Sequence, residues 1–346
     1  MRAALIGLGM VAKTHVAAIA ATKGRITLEA LCARHPERAE AFAQEVSQAG
    51  QGTPKAYKSV AEIAADPDID FAIVLTPPNA RIEAVEALAA AGKPILMEKP
   101  VERTLKAATR IVEICEAAHV PLGIVLQHRM RASARRLSEM LAEGALGEIG
   151  LVEITVPWWR EQSYYDEPGR GTYARDGGGV LISQAIHTLD LALSLTGPAT
   201  RVQAMARTSR LHRMEAEDIV SGGIDYASGA VGSLFATTAS YPGSAESILL
   251  HGTKGSARIV SGQLDLNWRD GTTESFGEGS GTGGGADPMA FTHEWHQAIL
   301  EDFADALEHN RAPIVTGRAA LAVHHLIEAL VTSSREGRAI TLSEIS

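Results

Sequence analysis

Residues 2–12 are Arg-Ala-Ala-Leu-Ile-Gly-Leu-Gly-Met-Val-Ala, a short apolar run followed by the pattern Gly-x-Gly-x-x-Ala. The apolar run predicts a buried strand, and the alanine-rich segment that continues to about Ala21 predicts a helix. In such a strand, turn and helix, Gly7 permits the tight turn, Gly9 lets a phosphate approach the backbone, and Ala12 allows close packing. The helix N-terminus then presents N–H groups to an anion. This stretch predicts a dinucleotide-binding unit.

Strands alternate with helices along the first third of the chain. Further buried strands are predicted at Ile26 to Cys32, Asp70 to Leu75, Ile95 to Glu98 and Leu122 to Leu126. This alternation is typical of a doubly wound, mostly parallel sheet of the α/β class. We therefore predict a dinucleotide-binding Rossmann domain over residues 1–123 and a second domain over residues 124–346.

The predicted strand that begins at Ile95 ends on Glu98-Lys99-Pro100. Pro100 has no N–H to donate to a neighbouring strand, so the chain must leave the sheet there. Because ligands bind at the carboxyl ends of parallel strands, we expect Lys99 to project into a site. Partial desolvation there would lower the pKa of Lys99 and let it donate a proton to a reacting oxygen or polarise that oxygen. The alternative is a surface lysine before a turn.

The end of the second strand bears on the choice of cofactor. In NAD-binding proteins an acidic residue about 20 positions after the glycine turn binds the adenine ribose, whereas this chain has Ala33 and then Arg34. The guanidinium of Arg34 is suited to pair with a 2′-phosphate and to stack on adenine. NADP(H) is therefore favoured and NAD(H) remains possible. The alternative role of Arg34 is to begin the exposed helix at Pro36.

Aromatic and arginine side chains are concentrated in a loop-like segment between residues 157 and 176. Tyr164 and Tyr165 offer flat faces for sugar rings, and Arg160 can hold a carboxylate or a phosphate. We expect these residues to orient a substrate. The alternative is a loop that folds over its own aromatic side chains and leaves its arginines in solvent.

A triple glycine at residues 177–179 precedes a predicted helix from Val180 to Leu195. A neutral imidazole at His187, near the start of this helix, can accept a hydroxyl proton as an alcohol becomes a ketone. Ser183 and Gln184 on the same helix can only form hydrogen bonds with a substrate. The alternative for His187 is a buried histidine of the core.

The composition indicates an ordinary globular protein without a nucleic-acid or membrane partner. The 346 residues are 45% hydrophobic and carry a net charge of -9, and no basic stripe with interleaved aromatics occurs. No uninterrupted apolar run is long enough to span a bilayer. Cys32 and Cys115, the two cysteines, lie in apolar runs, which is typical of a reducing cytoplasm. His293 and His296 lack the spacing of a helical zinc motif, so no metal site is predicted.

Alternating segments between Ile219 and Trp268, joined by glycine-rich turns, predict an antiparallel meander in the second domain. A flexible loop is predicted at Gly277 to Gly285. Two helices, from Met289 to Leu307 and from Gly317 to Glu336, are predicted to follow.

Four motifs together resemble the Gfo/Idh/MocA family of NAD(P)-dependent oxidoreductases. They are Gly7-x-Gly9-x-x-Ala12, Thr76-Pro77-Pro78-Asn79, Glu98-Lys99-Pro100, and the stretch from Gly177-Gly178-Gly179 to His187-Thr188-Leu189-Asp190. The resemblance spans essentially the whole chain and implies a C-terminal α+β domain with an open, mostly antiparallel sheet. It also implies hydride transfer between NAD(P) and a hydroxyl or keto carbon of a sugar, sugar acid, inositol or nucleotide sugar.

The resemblance implies that Lys99 and His187 are the catalytic pair. With the residues argued above, the expected cofactor-binding residues are Gly7, Gly9, Met10, Val11, Ala12, Ala33, Arg34, Thr76, Pro77, Asn79, Glu98 and Lys99. The expected substrate-binding residues are Lys99, Arg160, Tyr164, Tyr165, Ser183, Gln184 and His187. The resemblance also favours a homodimer or homotetramer that forms through the C-terminal sheet.

Two positions depart from the family pattern. Ser183 stands where the family often has Asp or Asn, and Arg81 stands where a histidine beside the cofactor is common. Two other activities known in proteins that resemble this family remain as alternatives. One is glycoside hydrolysis with a retained NAD, and the other is a non-catalytic regulator that senses the dinucleotide. The presence of both Lys99 and His187 argues against the regulator.

Overall fold

The computed structural model describes residues 1–277 and 292–345, which divide into two compact units. The first unit contains Met1–Glu102, Lys106–Gln127 and His293–Leu321. The second contains Arg103–Leu105 and the described residues of His128–Thr292 and Ala322–Ser346. Most of the predicted loop at Gly277 to Gly285, and the predicted helix start at Met289, lie outside the described residues.

A six-stranded parallel sheet forms the centre of the first unit. Its strands are β1 Arg2–Ile6, β2 Thr27–Cys32, β3 Lys55–Tyr57, β4 Phe71–Val74, β5 Ile95–Glu98 and β6 Leu122–Val125. They lie in the order β3-β2-β1-β4-β5-β6, which places the reversal of strand order between β1 and β4. Strands β4, β5 and β6 are buried throughout, as expected for a parallel sheet covered by helices. The predicted Rossmann fold is confirmed.

A nine-stranded mixed sheet forms the second unit. Its strands are β7 Ile149–Pro157, β8 Ala199–Arg207, β9 Ile219–Tyr226, β10 Val231–Thr237, β11 Ser247–Gly252, β12 Gly255–Val260, β13 Gln263–Trp268, β14 Thr273–Phe276 and β15 Ile340–Thr341. The order is β14-β13-β12-β11-β7-β10-β9-β8-β15. All pairs are antiparallel except β10 with β7. The predicted open, mostly antiparallel sheet is therefore confirmed.

The simple meander predicted between Ile219 and Trp268 is wrong at one place. Strands β10 and β11 are consecutive in the chain, but β7 lies between them and pairs with both. The reason is that β7, which precedes them by many residues, occupies the middle of the sheet. Such a long-range pairing leaves no mark in the local alternation of polar and apolar residues.

Ten α-helices occur in the described residues. They are α1 Ala12–Ala21, α2 Pro36–Gln48, α3 Val60–Ala65, α4 Ile82–Ala90, α5 Leu105–Ala117, α6 Ala132–Ala142, α7 Gln162–Tyr165, α8 Ile186–Thr196, α9 Glu294–Glu308 and α10 Gly317–Glu336. None of these described helices is long and apolar enough to cross a membrane.

The first unit includes His293–Leu321, which the sequence analysis placed in the second domain. Helix α9 packs into the first unit: the rings of Phe71 and Phe303 lie 5.5 Å apart. The N–H of Ile124 also donates to the carbonyl of Val315 at 3.0 Å. These apolar and backbone contacts join residues that are distant in sequence. The predicted boundary at residue 123 separates a cofactor-binding domain from a substrate-binding domain. Division of the chain into compact units does not test that assignment, so it stays a prediction.

Candidate active site

The glycine turn and the Thr76 turn meet at the carboxyl end of the parallel sheet. Gly7 has a φ of 94°, a left-handed conformation that favours glycine. A Cβ on Gly7 would also lie 2.7 Å from the backbone nitrogen of Thr76. By contrast, a Cβ on Gly9 would meet no atom within 4 Å. The two glycines thus have different roles: Gly7 permits a close backbone contact, and Gly9 leaves open space.

The N-terminus of α1 is suited to a phosphate. Val11, the residue before the helix, provides no capping side chain, and the first turn contains no acidic residue. The N–H of Ala12 donates to the carbonyl of Gly9 at 3.2 Å. The other N–H groups of this turn are available to an anion, and the helix dipole favours one. Met10, beside them, is 45% exposed. Together with the open space at Gly9, these features fit the pyrophosphate of a dinucleotide.

The second strand ends as the sequence analysis expects. Ala33 is buried directly after β2, and Arg34 is exposed. Between Cys32 and Glu37 the chain has no carboxylate that would repel a phosphate. This strand end can accept an additional negative charge on a ligand.

Arg81 has a structural role at this end of the sheet. Its side chain is 2% exposed, and its Nε donates to the carbonyl of Thr76 at 3.0 Å. Its Nη1 donates to the carbonyls of Glu98 and Pro100. Burial lowers the pKa of Arg81 to about 10, although nearby carboxylates oppose the shift. Arg81 therefore joins the Thr76 turn to the Lys99 turn. Its guanidinium donates to backbone carbonyls and does not project towards a cofactor.

A buried cluster of His15, Glu98 and His296 lies behind Lys99. Oε1 of Glu98 is 2.9 Å from Nε2 of His15 and 3.5 Å from Nε2 of His296. Its Oε2 accepts the backbone N–H of Lys99 at 3.1 Å. Burial alone would raise the pKa of Glu98, but the hydrogen bonds from the two histidines hold it well below its ordinary value. Glu98 is therefore an ionised group that fixes the turn carrying Lys99.

The three ligand-type atoms of this cluster lie within 4.8 Å of one another, a spacing that a metal ion could also use. However, Nδ1 of His15 has no hydrogen-bond partner among the described residues. A metal-bound histidine usually donates its second N–H to an acceptor. Burial also lowers the pKa of His296, and the charge of Lys99 acts in the same direction. The cluster suits a hydrogen-bonded network better than a cation. These residues lie on three separate elements, so no local pattern in the sequence links them.

The triple glycine of the second unit is packed against Glu217. A Cβ on Gly179 would lie 1.7 Å from the backbone oxygen of Glu217. The carboxylate of Glu217 accepts the N–H groups of Gly179 and Leu181 at 3.1 and 3.2 Å. Burial raises the pKa of Glu217, and these hydrogen bonds oppose the shift. The backbone N–H groups at the start of the following helix therefore donate to the carboxylate of Glu217.

His187 lies just after an irregular helical turn. Residues Leu181–Ala185 form a short π-helix, and α8 then begins at Ile186. Such π-turns occur often at functional sites because they redirect side chains. Ser183 and Gln184 belong to the π-turn, and His187 belongs to the first turn of α8. The single predicted helix is therefore two helical segments, with the predicted site residues at their junction.

The two tyrosines of the aromatic segment, Tyr164 and Tyr165, have different surroundings in the second unit. Tyr164 lies beside two guanidiniums, at 5.8 Å from Arg160 and 5.0 Å from Arg170, and its hydroxyl accepts from Gln184 at 3.4 Å. Tyr165 is buried and its hydroxyl contacts that of Thr238 at 2.6 Å. Arg160 is itself 2% exposed. Tyr164, Arg160 and Gln184 thus form one polar group of the second unit, while Tyr165 supports it from the interior.

Sequence reasoning missed His128. Its ring stacks on that of His187, with the centroids 4.9 Å apart and an angle of 30° between the planes. His128 belongs to the short 3-10 turn Gln127–Met130, which follows β6 in the chain. The position directly after a parallel strand was the available signal, because functional side chains often follow the carboxyl ends of such strands.

Comparison with known proteins agrees with the fold and the motifs. Residues 1–125 match the model of an oxidoreductase family with an NAD-binding Rossmann fold, GFO/IDH/MocA. Residues 134–258 match the model of the GFO/IDH/MocA C-terminal domain.

Two relatives that match over nearly the whole chain are named as dehydrogenases of D-apiose and of myo-inositol. The chain is 26% identical over 352 residues to D-apiose dehydrogenase from Rhizobium rhizogenes, covering 99% of this chain and 97% of that protein. It is 26% identical over 355 residues to myo-inositol 2-dehydrogenase from Thermotoga maritima, covering 100% and 99%.

A solved structure with similar coverage is the WlbA dehydrogenase from Bordetella pertussis, in complex with NADH and UDP-GlcNAcA. It is 29% identical with a TM-score of 0.82, and the match covers 99% of this chain and 98% of that one.

Proposed function

The chain belongs to the GFO/IDH/MocA family of NAD-binding oxidoreductases, and on this premise we propose a specific reaction and a set of residues that perform it. The reaction is hydride transfer between NAD(P) and a hydroxyl or keto carbon of a sugar, sugar acid, inositol or nucleotide sugar. Relatives named for D-apiose and myo-inositol, and a similar structure that holds UDP-GlcNAcA, support this substrate class. Turnover of these three compounds with NAD(P)⁺ is the direct test.

One observation supports the proposal above all others. Gly9, Thr76 and Lys99 follow the carboxyl ends of β1, β4 and β5, which are adjacent strands of one parallel sheet. Ligands of doubly wound sheets bind at this edge, where the strand order reverses. When bound, the nicotinamide ring supplies or accepts the hydride. We assign Gly7, Gly9, Met10, Val11, Ala12, Ala33, Arg34, Thr76, Pro77, Asn79, Glu98 and Lys99 to cofactor binding.

Lys99 and His187 are the proposed catalytic residues. Glu98 and Arg81 hold the turn that carries Lys99, so that its ammonium can polarise the reacting oxygen and support the proton relay. In the oxidative direction His187 accepts the hydroxyl proton as a neutral imidazole, and in the reductive direction it returns the proton.

The proposed substrate-orienting residues lie in the second unit. Arg160 and Tyr164 are in contact, and Gln184 donates to the hydroxyl of Tyr164. We include Ser183, which lies on the same π-turn as Gln184, and Tyr165, which packs beside Tyr164. These neutral and positive groups can bind hydroxyls and, through Arg160, an acidic group on the substrate.

Arg34 is the proposed determinant of an NADP(H) preference. In the Arg34→Ala variant we expect NADPH affinity to fall about 10- to 100-fold, because a hydrogen bond to a charged group contributes about 1.5–3 kcal/mol. NADH affinity should change little, since NADH has no 2′-phosphate. Fluorescence titration of both cofactors against the wild type and the variant measures the difference.

Lys106→Ala is the matched control, because Lys106 is also an exposed cation of the first unit. It should leave the ratio of the two affinities unchanged. Equal loss of NADPH and NADH binding in Arg34→Ala, or no loss of either, would show that Arg34 has no role in cofactor choice.

We also propose that the protein forms a homodimer or homotetramer through the nine-stranded sheet. Four exposed apolar side chains support this: Leu151 on β7, Met205 on β8, and Val231 and Phe235 on β10. Val231 pairs directly with Leu151, so two of them are neighbours. Sedimentation of the purified protein measures the oligomeric state, and a monomer at micromolar concentration would refute this proposal.

A cytoplasmic location is proposed from the two cysteines, which are buried and unpaired.

A further inference from the structure

His128 is placed against His187 by a ring contact and by an ion pair of the neighbouring residue. The two imidazole rings are stacked at 4.9 Å, and both side chains are more than nine-tenths buried. The neighbouring Arg129 forms two hydrogen bonds with Asp190, from Nε to Oδ2 at 2.7 Å and from Nη2 to Oδ1 at 2.5 Å. Because Asp190 lies one turn after His187 on α8, this pair fixes the His128 turn to the helix that carries His187.

Arg131 determines the protonation state of His128. Nη2 of Arg131 lies 2.6 Å from Nε2 of His128. A guanidinium has only donors and stays charged in proteins, so Nε2 of His128 must accept this hydrogen bond. The proton of a neutral His128 is then on Nδ1. Protonation of Nε2 would place two donors and two positive charges against each other.

The charge of Arg131 is balanced from its other side. Its Nη1 donates to Oε1 of Glu246 at 2.8 Å, and both side chains are buried, at 2% and 3% exposure. Oε2 of Glu246 accepts the indole N–H of Trp158 at 3.3 Å. Burial lowers the pKa of Arg131, and Glu246 opposes the shift. A continuous series of hydrogen bonds thus runs from Trp158 through Glu246 and Arg131 to His128.

We propose that His128 is a positioning residue for His187: it fixes the plane of the His187 ring and keeps an uncharged aromatic face against it. The inference rests on the proposed proton role of His187. When His187 takes the substrate's hydroxyl proton it becomes positively charged, and a second imidazolium in contact would disfavour that charge. Arg131 prevents this by holding His128 in its neutral form.

Two substitutions separate this role from a purely structural one. His128→Gln keeps an acceptor for Arg131 but removes the ring, whereas His128→Phe keeps an uncharged ring but removes the acceptor. We expect His128→Gln to lower kcat at least 10-fold, with KM for NAD(P)H and the thermal midpoint close to wild type. His128→Phe should keep kcat within about three-fold and lose thermal stability, because a buried donor loses its partner. The substrate is whichever of myo-inositol, D-apiose and UDP-GlcNAcA the wild type turns over fastest.

Wild-type kcat in His128→Gln would overturn the inference. A loss of kcat that parallels the loss of thermal stability across the two variants, and is therefore largest in His128→Phe, would also overturn it. His187→Asn separates this failure from failure of the proposed function. If His187→Asn is inactive and His128→Gln is fully active, only the role of His128 is refuted. If His187→Asn keeps wild-type kcat, both are refuted.

A measurement on the wild-type protein tests the inference without any substrate. In ¹⁵N-histidine-labelled protein with NADPH bound, the His128 ring should show a protonated Nδ1 and an unprotonated Nε2 between about pH 6 and pH 8, where free histidine titrates. The signal is assigned by comparison with His128→Phe, or with His128→Gln if that variant is the better folded. A His128 ring protonated on both nitrogens at about pH 6 would overturn the inference.

Discussion

Lys99→Met is expected to lower kcat by about 100- to 10,000-fold, the usual contribution of a side chain positioned for acid–base catalysis. Methionine preserves the length of the side chain and removes its charge and its donors. The turn itself should persist, because the Glu98 carboxylate accepts the backbone N–H of residue 99 and Arg81 binds the carbonyls of Glu98 and Pro100. The dissociation constant for NADPH should change only a few-fold, because the turn and the other proposed cofactor-binding residues are unchanged. Steady-state kinetics and fluorescence titration measure the two quantities.

Lys106→Met provides the matched control for Lys99→Met. Lys106 is exposed on α5, and the substitution removes the same charge from the first unit without touching the strand ends. We expect wild-type kcat from this control. If Lys99→Met also turned over substrate within three-fold of wild type, Lys99 would not act on the reacting oxygen.

Gly179→Ala is expected to destabilise the protein by about 3 kcal/mol or to prevent folding, at the upper end of what overpacking costs. The added Cβ would lie 1.7 Å from the backbone oxygen of Glu217 and 2.6 Å from its carbonyl carbon. A flexible side chain could move away, but this oxygen also accepts the N–H of Val180 at 2.8 Å. Relief therefore requires a shift of backbone on both sides. Thermal unfolding of the variant measures the loss.

Gly150→Ala is the control for the glycine experiment. Gly150 lies on β7 in the same unit, and a Cβ there would meet no atom within 4 Å. Its thermal midpoint should equal or slightly exceed that of the wild type, because alanine restricts the unfolded chain. If Gly179→Ala unfolded at the same temperature as Gly150→Ala, the close contact with Glu217 would be incorrect.

Local sequence signals predicted most of the first unit. The strand, glycine turn and helix at its start are present, as the pattern Gly-x-Gly-x-x-Ala predicts. Strand β8 was not predicted. Its buried side chains include small alanines at Ala199 and Ala204, so the contrast between its two faces is weak. Its place beside β9 depends on pairing that a local pattern cannot reveal.

The candidate site was predictable where its residues belong to a motif and not where they meet only in space. Lys99 follows a strand end that the sequence marks clearly with Pro100. The cluster around Glu98, however, joins it to His15, which is 83 residues away, and to His296 on α9. Likewise, nothing near Arg81 in the sequence shows that its side chain turns inward. Contacts of this kind follow from tertiary packing, which a single sequence does not specify.

Transfer of deuterium is the measurement that tests hydride transfer most directly. The protein is incubated with NADP⁺ or NAD⁺ and with myo-inositol, D-apiose or UDP-GlcNAcA deuterated at the carbinol carbons, together with a set of equally deuterated glycosides. The reduced cofactor is then analysed by mass spectrometry. We predict that the reduced nicotinamide carries one deuterium from the substrate and accumulates as substrate is oxidised. A glycoside cleaved without net reduction of the cofactor would contradict this reaction. So would a protein that binds the dinucleotide and transfers deuterium from none of these compounds.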